Sequence, residues 1–465
     1  MSRGGKSATE APVDAGGAPA TPFWTGPRRA CAVIALLGTA LTVATYWPGY
    51  MSEDSFTQLG QARSGDYTAH HPPLMALFWK PLDAVLPGPG LLLVLQAALA
   101  WSGAALFMSL VFRGWGAPVA LLAFCLWPTV FSYLGTMWKD VQLGVALLWG
   151  SALTLAAERL GWRRALWLAP VAFFYGAAVR LNGLTAILPL TAWWGWVLAG
   201  QLGRRRRLLV GALVGLTLTV GSWAGIKAVN GWLTRDHPIP PPEQALYIHD
   251  LIGLTGATGQ VLVPDYILRQ PEARSIRWLL QLWYPHSLVP IFYDPGNLRL
   301  SSDPEQLATL RSAWLRAVTD HPGIYLRHRM IMFEFLLGAN TPVVHYPFHD
   351  GMVKNDLGFA FQRTPLNEAV MAGLHAIQNS LFFRGWAYLV AALALGVGGL
   401  LTRRLDAPGA ALLGSAFAYA LPYIPTCPAG DFRYLWWTVL ATLLAAATVW
   451  AGRRGGGEVS ELKRG

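Results

Sequence analysis

The chain has 465 residues, 54% of them hydrophobic and only 13% charged, with 22 Trp and a mean hydropathy of +0.37. That balance excludes a soluble globular protein and describes an integral membrane protein. A net charge of +11 points to nucleic acid only when Lys and Arg share one accessible face, and here they stand in short clusters between apolar runs.

In chain order, residues 1–29, rich in Gly, Ala and Pro, read as a disordered cytoplasmic tail. No signal-peptide cleavage site follows the first apolar run, so that run is expected to remain as a helix. Apolar runs of bilayer-spanning length lie at roughly 30–48, 90–112, 116–134, 138–157, 165–180, 184–202, 208–229, 380–402, 408–426 and 434–451. They predict an all-α polytopic membrane protein of about ten transmembrane helices. An N-terminal module then covers 30–229, a large loop 230–380, a C-terminal module 381–452 and a second cytoplasmic tail 453–465. Three Cys, at 31, 125 and 427, form neither a metal-ligand spacing nor a disulfide framework.

Orientation follows from Arg28 and Arg29, Arg113, Arg163 and Arg164, Arg204 to Arg207, Arg403 and Arg404, and Arg453 and Arg454, which fall on alternate loops. Short basic loops stay cytoplasmic, so both termini are expected inside a plasma (inner) membrane. The charge excess is then topological. Residues 50–73, "GTMWKD" at 135–140, "RLNG" at 180–183, the loop 230–380 and "TCPAGDFRY" at 426–434 are expected outside, with all ten His. Several loops on a rigid scaffold would thus build a site at the outer surface.

Within the first of these stretches, "EDSFTQLGQARSG" predicts a short helix along the interface, with Glu53 and Asp54 where the first span leaves the bilayer. "HHPPLMALFWKPLDAVLPGPG" continues as a second interfacial segment, with an extended approach imposed by Pro72 and Pro73 and with Trp79 and Lys80 suited to the headgroup layer. In 230–380, Ser302 or Asp303 can cap a helix, and the whole reads as a helical cap that is either a substrate lid or packing. His345 and His349 stand four apart, but Pro342 and Pro347 argue against a helix there and so against zinc. His237, His249, His286, His321, His328 and His375 read as ordinary loop residues. No repeat and no nucleotide fingerprint occurs, which argues against a nucleotide-sugar donor.

Taken in order, "DSFTQ", "HHPPL", "WKD", "RLNG", "HPGIYLRHR" and "DFRYL" resemble the pattern of GT-C superfamily membrane glycosyltransferases, specifically bacterial relatives of the dolichyl-phosphate-mannose-protein mannosyltransferases, over roughly residues 30–450. An acidic pair after the first helix and a second acid in the next external turn belong to that pattern. Here the pair is Glu-Asp rather than two Asp, and a C-terminal soluble domain is not expected.

The resemblance implies transfer of a sugar from a polyprenyl-phosphate donor to a cell-envelope acceptor at the bilayer surface. An acceptor hydroxyl must lose its proton as it attacks, and Asp54 is the candidate base, with Asp140 second. Glu53 either orients the acceptor or joins Asp54 at a divalent metal, Mg or Mn. Lys139, Arg180 and Arg433 are candidates to hold the donor phosphate, with His70, His71, Asn182, Asp431 and Tyr434 beside them on the substrate side. A transporter or lipid flippase also explains the helices, but it places ionisable groups at mid-bilayer and breaks helices in paired halves. A noncatalytic scaffold of envelope assembly would leave Asp54 dispensable. Convergence of Asp54, Asp140 and Arg433 on one outward cavity separates the enzyme from both.

Overall fold

All ten apolar runs form helices in the computed structural model, which describes residues 25–68, 71–234, 243–268, 275–293 and 298–461. Among these residues there are isolated β-bridges and no strand, in accord with the all-α expectation. The N-terminal part contains α1 (Gly26–Tyr46), α2 (Glu53–Ser64), α3 (Leu74–Val85), α4 (Gly90–Val111), α5 (Gly116–Cys125), α6 (Pro128–Leu134), α7 (Lys139–Leu160), α8 (Arg163–Val179), α9 (Gly183–Leu198) and α10 (Arg204–Leu233). The middle contains α11 (Glu243–Thr258), α12 (Ile276–Gln281), α13 (Val289–Tyr293), α14 (Pro304–Asp320), α15 (Pro322–Leu337) and α16 (Pro365–Ile377). The chain closes with α17 (Gly385–Leu401), α18 (Ala407–Ala420), α19 (Tyr423–Thr426) and α20 (Trp436–Glu461).

Among the described residues, six stretches are long and apolar enough to cross a membrane: α1, α4, α7, α10, Ala407–Thr426 and Phe432–Gly452. By length and composition, six of the ten expected spans are thus supported. A seventh span exists if α5 and α6, bent by 65°, are taken as one. The bend has a local cause, since Pro128 has no N–H to donate and Trp127 before it takes an extended ψ of 128°. The other three runs, α8, α9 and α17, have 17, 16 and 17 residues. At 1.5 Å per residue they reach about 24–26 Å, short of a ~30 Å hydrocarbon core. At the chain ends, α1 begins at Gly26, and α20 runs on to Glu461 through most of the segment expected to be a tail. Residues 1–24 lie outside the described residues.

The apolar window of α7 is 83% buried and that of α10 only 17%, so α7 is the central helix and α10 a peripheral one. Lys139 and Asp140 open this central helix. The end of α1, the start of α7, the end of α8, the start of α9 and the turn between α19 and α20 come together around one cavity. The Arg clusters at 28–29, 113, 163–164, 204–207 and 403–404 stand at the opposite helix ends.

The segment after α1 is fixed by pairing on both sides. Tyr50 N–H donates to Gly135 O (2.7 Å) and Met137 N–H to Tyr50 O (2.9 Å), while Met51 N–H donates to Gly351 O (3.2 Å) and Val353 N–H to Met51 O (3.0 Å). Gly135 permits this approach, because a Cβ there would lie 2.3 Å from the Tyr46 ring. From this anchor α2 starts at once. Ser55 Oγ accepts from Ser52 N–H (3.2 Å) and donates to Met137 O (2.9 Å), and Trp138 Nε1 donates to Ser52 Oγ (2.8 Å). Glu53 and Asp54 occupy the first turn, where the helix dipole favours anions.

Both short helices expected in 50–85 are present, and Arg63 clamps them by a two-pronged bond to Asp83 (2.8 and 2.9 Å). Two details differ. Pro73 takes helical dihedrals (φ −75°, ψ −10°) as the N-cap of α3 rather than an extended conformation. Trp79 is buried, donating to Gly88 O (3.1 Å), because its side of α3 packs on protein; Lys80 alone stays exposed.

In the large loop, Asp303 caps α14 by accepting from Glu305 N–H (3.1 Å), and the stretch holding His345 and His349 is not helical, as expected. His249 and His328 are not loop residues. They are buried on α11 and α15, where Asp250 accepts from Trp314 (2.8 Å), meets His328 Nε2 at 2.9 Å and pairs with Arg329. That network joins three helices of the cap, which the spacing of lone His residues does not reveal. His237 and His70 lie outside the described residues.

Candidate functional site

A cavity of about 1120 Å³ opens where the helix ends converge. It exceeds the usual size of a small-molecule pocket, ~300–1,000 Å³. Glu53, Asp54 and His71 line it from the first stretch, Lys139 from the start of α7, Arg180 and Asn182 from the turn between α8 and α9, and Asp431, Arg433 and Tyr434 from the turn before α20. The cap contributes Ser287, Leu288, Val289, His345 and Tyr346. Residues up to 382 positions apart in sequence (Ser52 to Tyr434) thus share one wall-to-wall space.

Charge on this wall is organised in pairs. Arg433 Nη1 donates to Asp54 Oδ2 (2.8 Å) and Nη2 lies 3.2 Å from Asp431 Oδ2. Arg180 binds Asp140 through Nη1 at 2.9 and 3.1 Å, and gives Nε and Nη2 to the Tyr423 hydroxyl at 3.2 and 3.0 Å. Lys139 Nζ is 2.6 Å from His71 Nδ1, and His71 Nε2 is 3.6 Å from Asp54 Oδ1. Lys139 therefore bonds His71 and not its sequence neighbour Asp140, because consecutive helical residues point in different directions. Asp140, only 1% exposed, sits behind Arg180 and does not face the cavity.

Aromatic faces complete the cationic wall. The guanidinium of Arg433 lies 4.6 Å from the Trp138 ring centre and 5.2 Å from that of Tyr434, whose other neighbour is Arg180 at 4.5 Å. Tyr434 in turn stacks on Tyr423 at 5.6 Å with an interplanar angle of 12°. Such planar stacking suits arginine and not lysine. Trp138, Tyr346 and Tyr423 are missing from the residues singled out in the sequence. Trp138 adjoins Lys139 in "WKD", whereas Tyr423 lies in an apolar run and Tyr346 between a histidine and a proline, where no local pattern marks them.

The two carboxylates that share Arg433 are shifted in opposite directions. Burial alone would raise the Asp54 carboxyl, but Arg433, then Lys139 and His71, overcome it and hold Asp54 far below the usual carboxylate range. Burial pushes the Asp431 carboxyl up, against the pull of Arg433 and with the added repulsion of Asp54 and Asp140. Environments that drive two acids apart are those that divide proton-handling roles between them. On the cap side, burial and then the neighbouring His286 lower His345 to about 4, so this imidazole is neutral at physiological pH.

Glu53 and Asp54 do not suit Mg or Mn. Asp54 presents Oδ2 to Arg433 and Oδ1 to His71, and among the described residues these acids belong to no converging group of three ligands. A dication there would also face Lys139 and Arg433. The described residues do hold one converging group, His249, Asp250 and His328, but both oxygens of its Asp250 are already bonded. No protein-family model matches this chain, and no curated protein and no solved structure matches it.

Proposed function

We propose that this chain is a membrane glycosyltransferase of the extracytoplasmic face, moving a sugar from a polyprenyl-phosphate donor to a cell-envelope acceptor. The observation that carries the reading is the meeting of Asp54, Lys139, Arg180 and Arg433 in one cavity at helix ends; of Asp54, Asp140 and Arg433, Asp54 and Arg433 line it and Asp140 stands buried behind Arg180. Lys139 and Arg433 are placed to receive a phosphate at headgroup level, and Arg180 to reinforce the field behind it. Asp140 then acts as a positioning residue that holds Arg180.

In the proposed reaction the acceptor hydroxyl oxygen forms a bond to the anomeric carbon while the bond from that carbon to the phosphate oxygen breaks. The electron pair leaves with the phosphate, and the hydroxyl proton goes to Asp54. A phosphate drawn to Arg433 competes with Asp54 for that cation, so donor binding strengthens Asp54 as a base at the moment it is needed. No step requires a metal. The flippase reading draws on the broken α5–α6 pair, but one bent pair occurs among the described residues, where paired halves would need two.

Purified protein given a panel of polyprenyl-phosphate sugars with envelope glycan acceptors should release free polyprenyl phosphate. Release from no donor in the panel, by protein that keeps its thermal unfolding transition, would sink the proposal.

Sidedness has its own test. The three native Cys are buried, so background labelling by a membrane-impermeant thiol reagent should be low. A Cys introduced at Ser302 should label in intact cells and one at Gly203 should not; the reverse pattern would place the cavity in the cytoplasm.

A further inference from the structure

Tyr346 is one of two non-glycine residues in the left-handed backbone region among the described residues, with φ of 47°. It also precedes Pro347, and a proline ring drives the preceding residue toward extended conformations. A bulky side chain in this position is strained, and such strain persists only where surrounding bonds impose it. Those bonds are visible. Phe432 N–H donates to Tyr346 O (3.4 Å), Tyr133 hydroxyl donates to Pro347 O (2.7 Å), and the Tyr346 hydroxyl meets His349 Nδ1 at 2.5 Å.

The effect of this clamp is to hold an aromatic ring on the cavity wall. Tyr346 remains 38% exposed there although it is tied at both backbone and hydroxyl. Its ring lies 6.1 Å from that of Trp138, whose face is in turn 4.6 Å from the Arg433 guanidinium. Cation, indole and phenol therefore follow one another along the wall. Because the hydroxyl is bonded to His349, the ring is the part of the side chain left to meet a ligand.

We infer that Tyr346 is a platform for a pyranose ring, on which the C–H face of the sugar stacks while a phosphate rests on Arg433. An apolar, electron-rich face one residue-width from a phosphate subsite matches the face of a hexose, whose hydroxyls project sideways and leave axial C–H groups toward the ring. The inference rests on the glycosyl-transfer reading and adds the residue that contacts the sugar. Donor and acceptor sugars share this chemistry, and the measurements below distinguish them.

The test uses the full chain in detergent with a polyprenyl-phosphate hexose and, as a control, sugar-free polyprenyl phosphate. Tyr346→Ala should weaken binding of the hexose-linked lipid by about three- to tenfold, the scale of an aromatic contact, with the control unchanged. Tyr346→Phe should stay near the parent because the ring remains. Tyr346→Gly also removes the ring but relieves the positive φ, so its sugar loss should equal that of Tyr346→Ala with a higher thermal midpoint.

A loss confined to the acceptor KM would assign the platform to the acceptor sugar, still as a pyranose contact. Parent-like binding and KM values in both the Ala and Gly variants would overturn the inference and leave the transferase reading standing. Parent protein that binds neither lipid would overturn both.

Discussion

Asp54→Asn is expected to slow sugar transfer by about 10²-fold or more, the scale of losing a general base, while donor binding persists. The substitution keeps the size of the side chain and one oxygen for Arg433, but an amide cannot take the acceptor proton. The pH dependence separates this role from that of Asp431. Asp54 is held far below the usual carboxylate range, so it stays ionised through mild acid, and the stability it contributes is lost only as pH falls through that low value. Asp431, raised by burial, protonates first as pH falls from neutrality.

A decline in rate as pH falls should therefore shift to lower pH in Asp431→Asn and persist in any residual activity of Asp54→Asn. Transfer rate against pH for the three proteins, with thermal unfolding as the folding control, decides the matter. If Asp54→Asn kept more than about half of the parent rate, the proton would have to go elsewhere, and Asp431 would be the first alternative on the same arginine. Glu53→Gln should have the smaller effect, since no metal is needed to join the two acids.

Arg433 should be the residue whose loss is felt both in stability and in donor use. Arg433→Ala leaves Asp54 and Asp431 facing one another without their shared cation, and only 11% of the arginine side chain is exposed. Removing one partner of a fully buried pair costs about 3–5 kcal/mol; the cost here should be nearer 2 because Asp54 remains partly open to water. Donor affinity should fall together with the thermal midpoint.

Arg433→Lys is the informative companion, since it restores charge but not the planar fork between two carboxylates or the stacking on Trp138 and Tyr434. It should recover most of the stability and little of the donor affinity. A double-mutant cycle of Asp54→Asn with Arg433→Lys should show strong coupling. Additive effects, or donor affinity unchanged in both Arg433→Ala and Arg180→Ala, would remove the arginines from the phosphate subsite.

Much of the architecture is written in local composition. Apolar run length places the helices of the ten apolar runs, because a chain dissolved in lipid must satisfy each backbone N–H and C=O within the same segment. Clusters of arginine likewise sort one set of helix ends from the other. The acids and bases of "SEDS", "WKD", "RLNG" and "DFRY" were legible as a set for the same reason, since ionisable groups are rare beside long apolar runs and stand out there.

Which of these groups touch is another matter. Sequence adjacency suggests the pairs Lys139–Asp140 and Arg433–Asp431; packing gives Lys139 to His71 and Asp140 to Arg180, keeps Arg433 beside Asp431 and adds Asp54 across 379 positions. Whether a run of 16 or 17 residues crosses a bilayer, and whether a proline bends one span into two helices, also depends on neighbours that no local window contains. Tyr346 is the extreme case, an unremarkable letter between a histidine and a proline. Its backbone conformation is imposed by bonds from Phe432 and Tyr133, far away in the chain, so only the assembled fold turns it into part of the cavity wall. Composition and periodicity determine what each segment is in a membrane; partner choice among charged side chains depends on distances of a few ångströms, which only the tertiary packing of helix ends decides.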